Sequence, residues 1–262
     1  MLKKDFADRN RLIAYVKELS PYAAGDASPL QGGDINARII LDYIDPISYE
    51  KTRNFGNGLV TKLSPYVNHG IINLNEIRNF ALNKYSDTRN CSKFIQELAW
   101  RDFWQNIAII HPEWLWENVE SYKTGFSEAD YNAELASDIV AGKTGVACID
   151  GFINDLINTG YVHNHGRMYI ASYVVHFRRI KWQAGAKWFL QHLLDGDEAS
   201  NNFSWQWIAS TFSNKPYIFN LENVDKYFGN LVNTDPKNNM ILDANYEDLS
   251  KRLFPRLGEK NE

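Results

Sequence analysis

Cysteine is scarce in this chain: Cys91 and Cys148 are the two it carries in 262 residues. Two thiols without a CxxC spacing supply neither a disulfide framework nor the ligand set of an iron–sulfur cluster, so both are expected to be reduced and structural. Long apolar runs are missing too. No stretch approaches the roughly 20 residues of a membrane helix, and the opening Met1-Leu-Lys-Lys-Asp-Phe-Ala-Asp has no apolar segment of the secretory kind. The expectation is a cytoplasmic protein with no membrane partner. Strict apolar–polar alternation is rare, which argues against strands, and no internal repeat appears. An excess of positive charge is lacking as well. The net charge of −4 argues against indiscriminate nucleic-acid binding by the whole surface. Acidic residues are absent, however, between Leu156 and Leu194, where Arg167, Arg178, Arg179, Lys181 and Lys187 stand alone. A basic face of that kind holds phosphates locally.

What is present reads as helix nearly throughout, a single all-α domain. Leu12, Tyr15, Val16 and Leu19 mark a first amphipathic helix, stopped by Ser20-Pro21 and a glycine- and proline-punctuated stretch from Gly25 to Gly33. A second helix carries Ile39, Ile40, Tyr43 and Ile44, and residues 54–65 read as a loop. Ser92 is placed to cap a helix running to Ile110, which His111-Pro112 ends. A further helix is expected from His163 to Trp182, with Ile170, Tyr173, Val174 and Phe177 on its apolar side. Another at Ala184–Leu194 leads into the run Asp195–Trp207. The tail after Asn220 is more polar and partly irregular.

Two phosphate-loop patterns fail. Ser137 stands where a phosphate-binding loop ending in Gly142-Lys143-Thr144 needs its first glycine, and Gly56-Asn-Gly58 has no third glycine. No metal site is expected: His163 and His165 have no completing ligands, and a turn explains Asp195 and Asp197 as well as a cation does. Three groupings are left. Glu97, Trp100, Arg101 and Trp104 share one helix face, and Asn164, Arg167 and Met168 share another. Asp195–Trp207 packs two carboxylates, the pair Asn201-Asn202, and Trp205 and Trp207 into one run. Glu97 and Arg101 would need buried partners if their stripe faced a core. Together the three suit a pocket for a planar, redox-active ligand.

These motifs resemble the photolyase/cryptochrome family, specifically its C-terminal, all-helical FAD-binding domain. The resemblance is carried by Tyr49 and Arg53, Thr61-Lys62-Leu63-Ser64-Pro65, Glu97 to Phe103, Gly142-Lys-Thr-Gly145, Thr159 to Met168, and Asp195 to Trp207; it covers about residues 49–220. It implies a bent FAD in the helical core, reduced and anionic when active. Tyr49, Thr61, Lys62, Leu63 and Ser64 would hold its diphosphate and ribityl part. Arg101, Arg167, Asp195 and Asp197 would line the flavin and adenine side, with an Arg167–Asp195 ion pair. Phe94, Glu97, Asn164 and Gly196 complete the implied contacts. Asn201 takes the position facing flavin N5, where an amide cannot readily deliver a proton. The implied activity is light-driven splitting of cyclobutane pyrimidine dimers in UV-damaged DNA. Glu97 and Asn164 would bond the dimer, Trp100 and Trp207 would stack on it, and Met168 would fill the space towards the flavin. Trp205 and then Trp182 would carry electrons to the cofactor.

The chain departs from the family pattern in four places. Only 48 residues precede Tyr49 where relatives carry an antenna domain, so no antenna chromophore is expected. His165 stands where a DNA-gripping arginine sits, and Pro216–Asn220 lacks the family's Phe-Arg pair. With Arg53 the remaining phosphate contact, single-stranded DNA is the expected preference, since extruding a base from a duplex costs a few kcal/mol. The outer member of the tryptophan chain is missing as well: no tryptophan lies between Trp116 and Trp182, leaving Phe126, Tyr131 or another tyrosine to finish the route. The alternative reading is a cryptochrome-like photoreceptor or redox sensor without repair. The expected organisation is a helical extension over residues 1–48, a core over 49–220 and an extension over 221–262 packed on it, as a monomer.

Overall fold

The computed structural model describes residues 2–21, 26–85 and 87–257. Gly25, which opens the punctuated stretch, and the last five residues of the tail lie outside them. Thirteen α-helices are described: α1 (Arg9–Leu19), α2 (Asp34–Asp42), α3 (Pro46–Thr52), α4 (Ser64–Asn68), α5 (Leu74–Lys84), α6 (Ser92–Ile110), α7 (Ser137–Val140), α8 (Ala147–Thr159), α9 (Asn164–Ser172), α10 (Trp182–His192), α11 (Glu198–Ala209), α12 (Leu221–Phe228) and α13 (Tyr246–Leu253). No sheet forms among the described residues; one isolated bridge joins Asn132 and Ile180. The fold is all-α.

Two compact units are present, Met1–Gln31 and Gly32–Glu262. In the first, the Asp8 carboxylate accepts from the Arg11 N–H at 2.9 Å and caps α1, while the Arg9 guanidinium bonds to the Ser28 and Leu30 carbonyls. Leu12, Val16 and Leu19 of its expected apolar side are exposed. In the second unit, Ala37 and Leu41 of α2 and the following Ile44 enter a small core with Tyr66, Ile77 and Phe94. Residues 34–48 thus pack within the second unit. At 3.6 residues per turn, a stripe through 37, 41 and 44 leaves Ile39 and Tyr43 outside, and both are exposed.

The larger core is built by α8 to α12 around Phe152, Tyr169, Trp182, Phe189, Trp205 and Phe219. Leu221, Val224, Phe228 and Leu242 belong to it, so the first part of the tail completes this core. The helix expected from His163 to Trp182 ends earlier, at Phe177. α9 widens into a π turn over Tyr173–Phe177, where the Arg178 N–H reaches back five residues to the Tyr173 carbonyl at 3.1 Å. Arg179 then takes a left-handed φ of 49°. The bridge to Asn132 follows, and Trp182 begins α10. Ser92 is the first helical residue of α6 rather than its cap, because a 3-10 turn at Thr88–Cys91, capped by Asp87, feeds straight into it. The Gly142–Gly145 turn folds onto Asp150, whose Oδ1 accepts from the Thr144 N–H and hydroxyl at 2.7 Å each. Its donors serve a carboxylate.

Candidate functional site

The centre of the site is Asp195, in the loop between α10 and α11. Its Oδ2 accepts from Arg167 Nη2 of α9 at 2.9 Å and from the Ser64 hydroxyl of α4 at 2.5 Å. Arg167 is itself aimed by a bond from its Nε to the Val162 carbonyl at 2.8 Å. The Asp195 side chain is 4% exposed. Burial alone would push its carboxyl up, but the Arg167 charge and the bonds from Arg167 and Ser64 outweigh it and hold the group below the usual carboxylate range. Its other oxygen, Oδ1, is buried without a hydrogen-bond partner. A buried acceptor left open in so well-connected a group is a place for a ligand donor.

Asp197 takes a different task. The run Asp195–Trp207 is a turn only as far as this residue, whose Oδ2 accepts from the Ser200 N–H at 2.9 Å and caps α11. Its Oδ1 accepts from Gln105 Nε2 and lies 3.5 Å from Arg101 Nη2, both on α6. Arg101 also donates to Asn68 Oδ1 of α4 at 3.2 Å. The loop thus joins α4, α6, α9 and α11. Of the paired amides, Asn202 is fully buried and donates to the Leu115 carbonyl at 2.6 Å. Asn201 donates to the Ala186 carbonyl of α10 at 3.0 Å and to Asn202 Oδ1 at 2.9 Å.

Glu97 on α6 finds two partners, Lys93 Nζ at 2.8 Å and Arg53 Nη1 at 3.4 Å. Tyr49 packs its ring edge-on against Phe94, 5.2 Å between centroids, and burial, with Glu97 nearby, pushes its hydroxyl up to about 12. Lys62 has a left-handed φ of 54°, and its ammonium sits 5.5 Å from the Tyr161 ring centre, as does the Arg167 guanidinium. Thr61 is half-buried, its hydroxyl accepting from the buried Leu63's N–H at 3.3 Å. Gly196 lies in the Asp195 turn, against Leu190 and the Leu193 carbonyl.

The residues expected to meet a substrate lie further out. Trp100 is 45% and Trp207 42% exposed, the first stacked on Trp104 at 5.4 Å and the second tilted against Tyr217 at 5.8 Å. Trp104 stacks in turn on Phe203 of α11, also at 5.4 Å, so a continuous aromatic layer backs Trp100. Asn164, the first residue of α9, is exposed and its amide points at Met168 Sδ, 3.6 Å away. His165 is turned away from solvent: its Nδ1 bonds the Asn54 carbonyl at 2.9 Å, and burial lowers its pKa.

The profile of the FAD binding domain of DNA photolyase matches residues 94–241. The chain belongs to the DNA photolyase FAD-binding family. The deoxyribodipyrimidine photo-lyase of Halobacterium salinarum is 31% identical to it over 219 residues, 78% of this chain and 45% of that protein. The photo-lyase of Alkalihalophilus pseudofirmus is 32% identical over 187 residues, 69% of this chain and 38% of that one. Among solved structures, a class III photolyase from Agrobacterium tumefaciens superposes with a TM-score of 0.63 and 26% identity, over 85% of this chain and 45% of its own. A photolyase from Sulfolobus tokodaii, solved with two FAD molecules, shares the fold with a TM-score of 0.70 at 21% identity, over 93% of this chain and 60% of its own. This chain spans less than half the length of the curated relatives named here.

Within this photolyase-family domain, the two tryptophans expected as electron carriers are both core residues, Trp182 fully buried and Trp205 nearly so. Trp205 lies against α10: its ring meets Phe189 edge-on at 4.9 Å, and a Cβ added at Gly185 would overlap it. Residues that sequence reasoning passed over include Lys93, Asn68, Gln105 and Tyr161. Lys93 had a signal, its i,i+4 spacing to Glu97. The other three meet the site only through tertiary packing. His163 was weighed only as a metal ligand; in the fold its Nδ1 caps α9 by accepting from the His165 N–H at 3.2 Å. Its Nε2 is buried without a partner, and burial, then the positive neighbours His165 and Arg167, press its pKa down to about 4. Among the described residues, no group of three or more His, Cys, Asp or Glu converges on one point.

Proposed function

We propose that this domain binds FAD and, with the flavin reduced and anionic, splits cyclobutane pyrimidine dimers in UV-damaged DNA under light, with a preference for single strands. The observation that carries the reading is the open Oδ1 of a buried Asp195 already paired to Arg167 and Ser64, with Trp100 and Trp207 left exposed on α6 and α11. The donor set fits a flavin dinucleotide. Lys62, Ser64 and Tyr49 suit its diphosphate and ribityl part, and Arg101, Arg167, Asp195 and Asp197 suit its polar ring edges. When bound, the cofactor supplies light absorption and one-electron chemistry.

The chain's own residues then position and protect. Arg167 and Arg101 favour an anionic ligand through their charge. Asn201, its amide occupied by Ala186 and Asn202, has no acidic proton to give at the position facing the ring. Glu97, kept in place by Arg53 and Lys93, offers a carboxylate to a base edge, with Asn164 as amide partner. Trp100 and Trp207 offer flat faces on which extruded bases stack. His165 is committed to the Asn54 carbonyl, so Arg53 is left as the phosphate contact; weak phosphate gripping favours strands whose bases are already free.

The test is to illuminate the reduced, FAD-loaded protein with dimer-containing oligonucleotides, single- and double-stranded, and count restored thymines. Recovery on the single strand is expected to exceed that on the duplex, and Glu97→Ala should cut recovery at least tenfold while the flavin absorbance stays. Dimers surviving on both substrates would overturn repair. A light-dependent change of oligomeric state without repair would favour a photoreceptor.

A further inference from the structure

We propose that Trp116 is the surface terminus of an electron relay running inward through Trp182 and Trp205; this rests on the reading that the domain holds a light-absorbing flavin. Trp116 stacks on Trp182 with ring planes 10° apart and centroids 6.3 Å apart. It is 37% exposed, whereas Trp182 is completely buried. Trp182 and Gly185 stand one turn apart on the same face of α10, and Trp205 presses on Gly185. The three indoles therefore step from α11 through α10 to the surface.

The electrostatics set a direction along these steps. An indole that has lost an electron is a cation, and a cation is costly inside a dry core. The Trp182 ring N–H donates to a neutral acceptor, Asn118 Oδ1, at 2.6 Å. The Trp116 ring N–H donates to a carboxylate, Glu198 Oε1, at 2.5 Å. Solvent and a negative neighbour both stabilise the positive charge on the outer ring. Its segment is held rigidly: Asn202 and Gln206, both fully buried in α11, donate to the carbonyls of Leu115 and Trp114 at 2.6 Å each. Gln183 adds a bond to the Trp116 carbonyl at 3.2 Å.

The other candidates for the outer position suit it poorly. Tyr131 is buried, stacked on Tyr122 at 4.2 Å. Phe126 lies between the guanidinium groups of Arg179 and Arg256, 3.8 and 4.3 Å from its centre, which oppose a positive ring.

The electron count closes as follows. With a flavin bound and excited by light, Trp205 would give up one electron to it, Trp182 would refill Trp205, and Trp116 would refill Trp182. The Trp116 cation releases its ring proton to Glu198 or water and becomes a neutral indolyl radical. A hydrogen atom from an external thiol restores it.

Two measurements test this. Near-ultraviolet circular dichroism of the flavin-free protein should show indole coupling that Trp116→Phe reduces, leaving the share of the separate Trp100–Trp104 stack. A laser flash on the oxidised, FAD-loaded protein should leave an indolyl radical in transient absorption, and Trp116→Phe should shorten its life at least tenfold. Glu198→Gln, which keeps an acceptor but removes the charge, should fall between the two and serves if Trp116→Phe does not fold. An unchanged radical lifetime in both variants, or indole coupling that Trp116→Phe leaves unaltered, overturns the relay. A chain that keeps the coupling but takes up no flavin overturns the flavin reading and the relay with it; loss of repair alone touches neither.

Discussion

Asp195 and Trp100 stand for two regions built on opposite terms. Around Asp195, polar groups are buried and tied to one another across four helices, with Arg167, Ser64 and Arg101 all committed. Around Trp100 and Trp207, large apolar rings are left in solvent, the first on α6, where Phe94 is the one buried residue, and the second on the well-buried α11. The first region ties the fold together and, on the proposed reading, also holds the ligand; the second costs the fold little and, on the same reading, serves the substrate. Mutations in the two should therefore separate stability from binding.

The largest effect is expected at the inner region. Arg167→Ala leaves the Asp195 carboxylate buried without its counter-charge, which typically costs about 3–5 kcal/mol, with the lower end fitting an arginine that keeps some exposure. Thermal or urea denaturation reads it, and Arg167→Lys should recover only part. A native-like melting temperature for Arg167→Ala would show that the pair is dispensable.

Acid should act next, and again on the interior. His163 and the fully buried His176 both have pKa values lowered by burial to about 4, against the ordinary 6.5. The unfolded chain binds protons that the folded chain refuses, so stability is full above pH 6.5 and falls as the pH drops towards 4. Each histidine contributes on the order of 3 kcal/mol to that fall. Denaturation midpoints across this window check it, and His176→Gln should flatten the slope. A slope that is already flat in the native protein would contradict the buried neutral state.

The smallest effect on the fold belongs to the outer region. Trp100→Ala should shift stability by less than about 1 kcal/mol yet weaken binding of a dimer-containing single strand by about 1–3 kcal/mol, the range for losing one stacked base. Fluorescence anisotropy beside a melting curve separates the two. If Trp100→Ala unfolds the protein as Arg167→Ala does, the contrast between the regions collapses.

Much of this arrangement was legible in the sequence because it is local. The Glu97–Trp104 stripe and the extent of α6 follow from helical spacing and residue type, whereas the Arg167–Asp195 pair, 28 residues apart, is implied only by the family resemblance. Other features were not local. The face of α2 was misread because Ile39 and Tyr43 outweigh Ala37 on any hydrophobicity count, yet Ala37 is the residue that fits beneath the neighbouring helices. The long helix after His163 was drawn unbroken because its apolar period continues to Phe177; what ends it is the π turn and the link to Asn132, distant in the chain. Asn202 is different: its residue type gives no sign of the bond that packing makes to the Leu115 carbonyl, in the segment carrying Trp116. That tryptophan lies 66 residues from Trp182 in the chain, and its stack closes only through space.

Gly185 carries a consequence for how such a chain can drift. Any side chain there would collide with Trp205, so one hydrogen atom in place of a methyl sets how closely two helices hold their indoles. Most of the interior can trade one aliphatic residue for another and relax; this position has no smaller substitute to trade for. Even the smallest change, glycine to alanine, would press on Trp205 and disturb the relay while leaving the Asp195 cluster untouched. Position 185 is thus a sensitive record of whether the relay is still under selection.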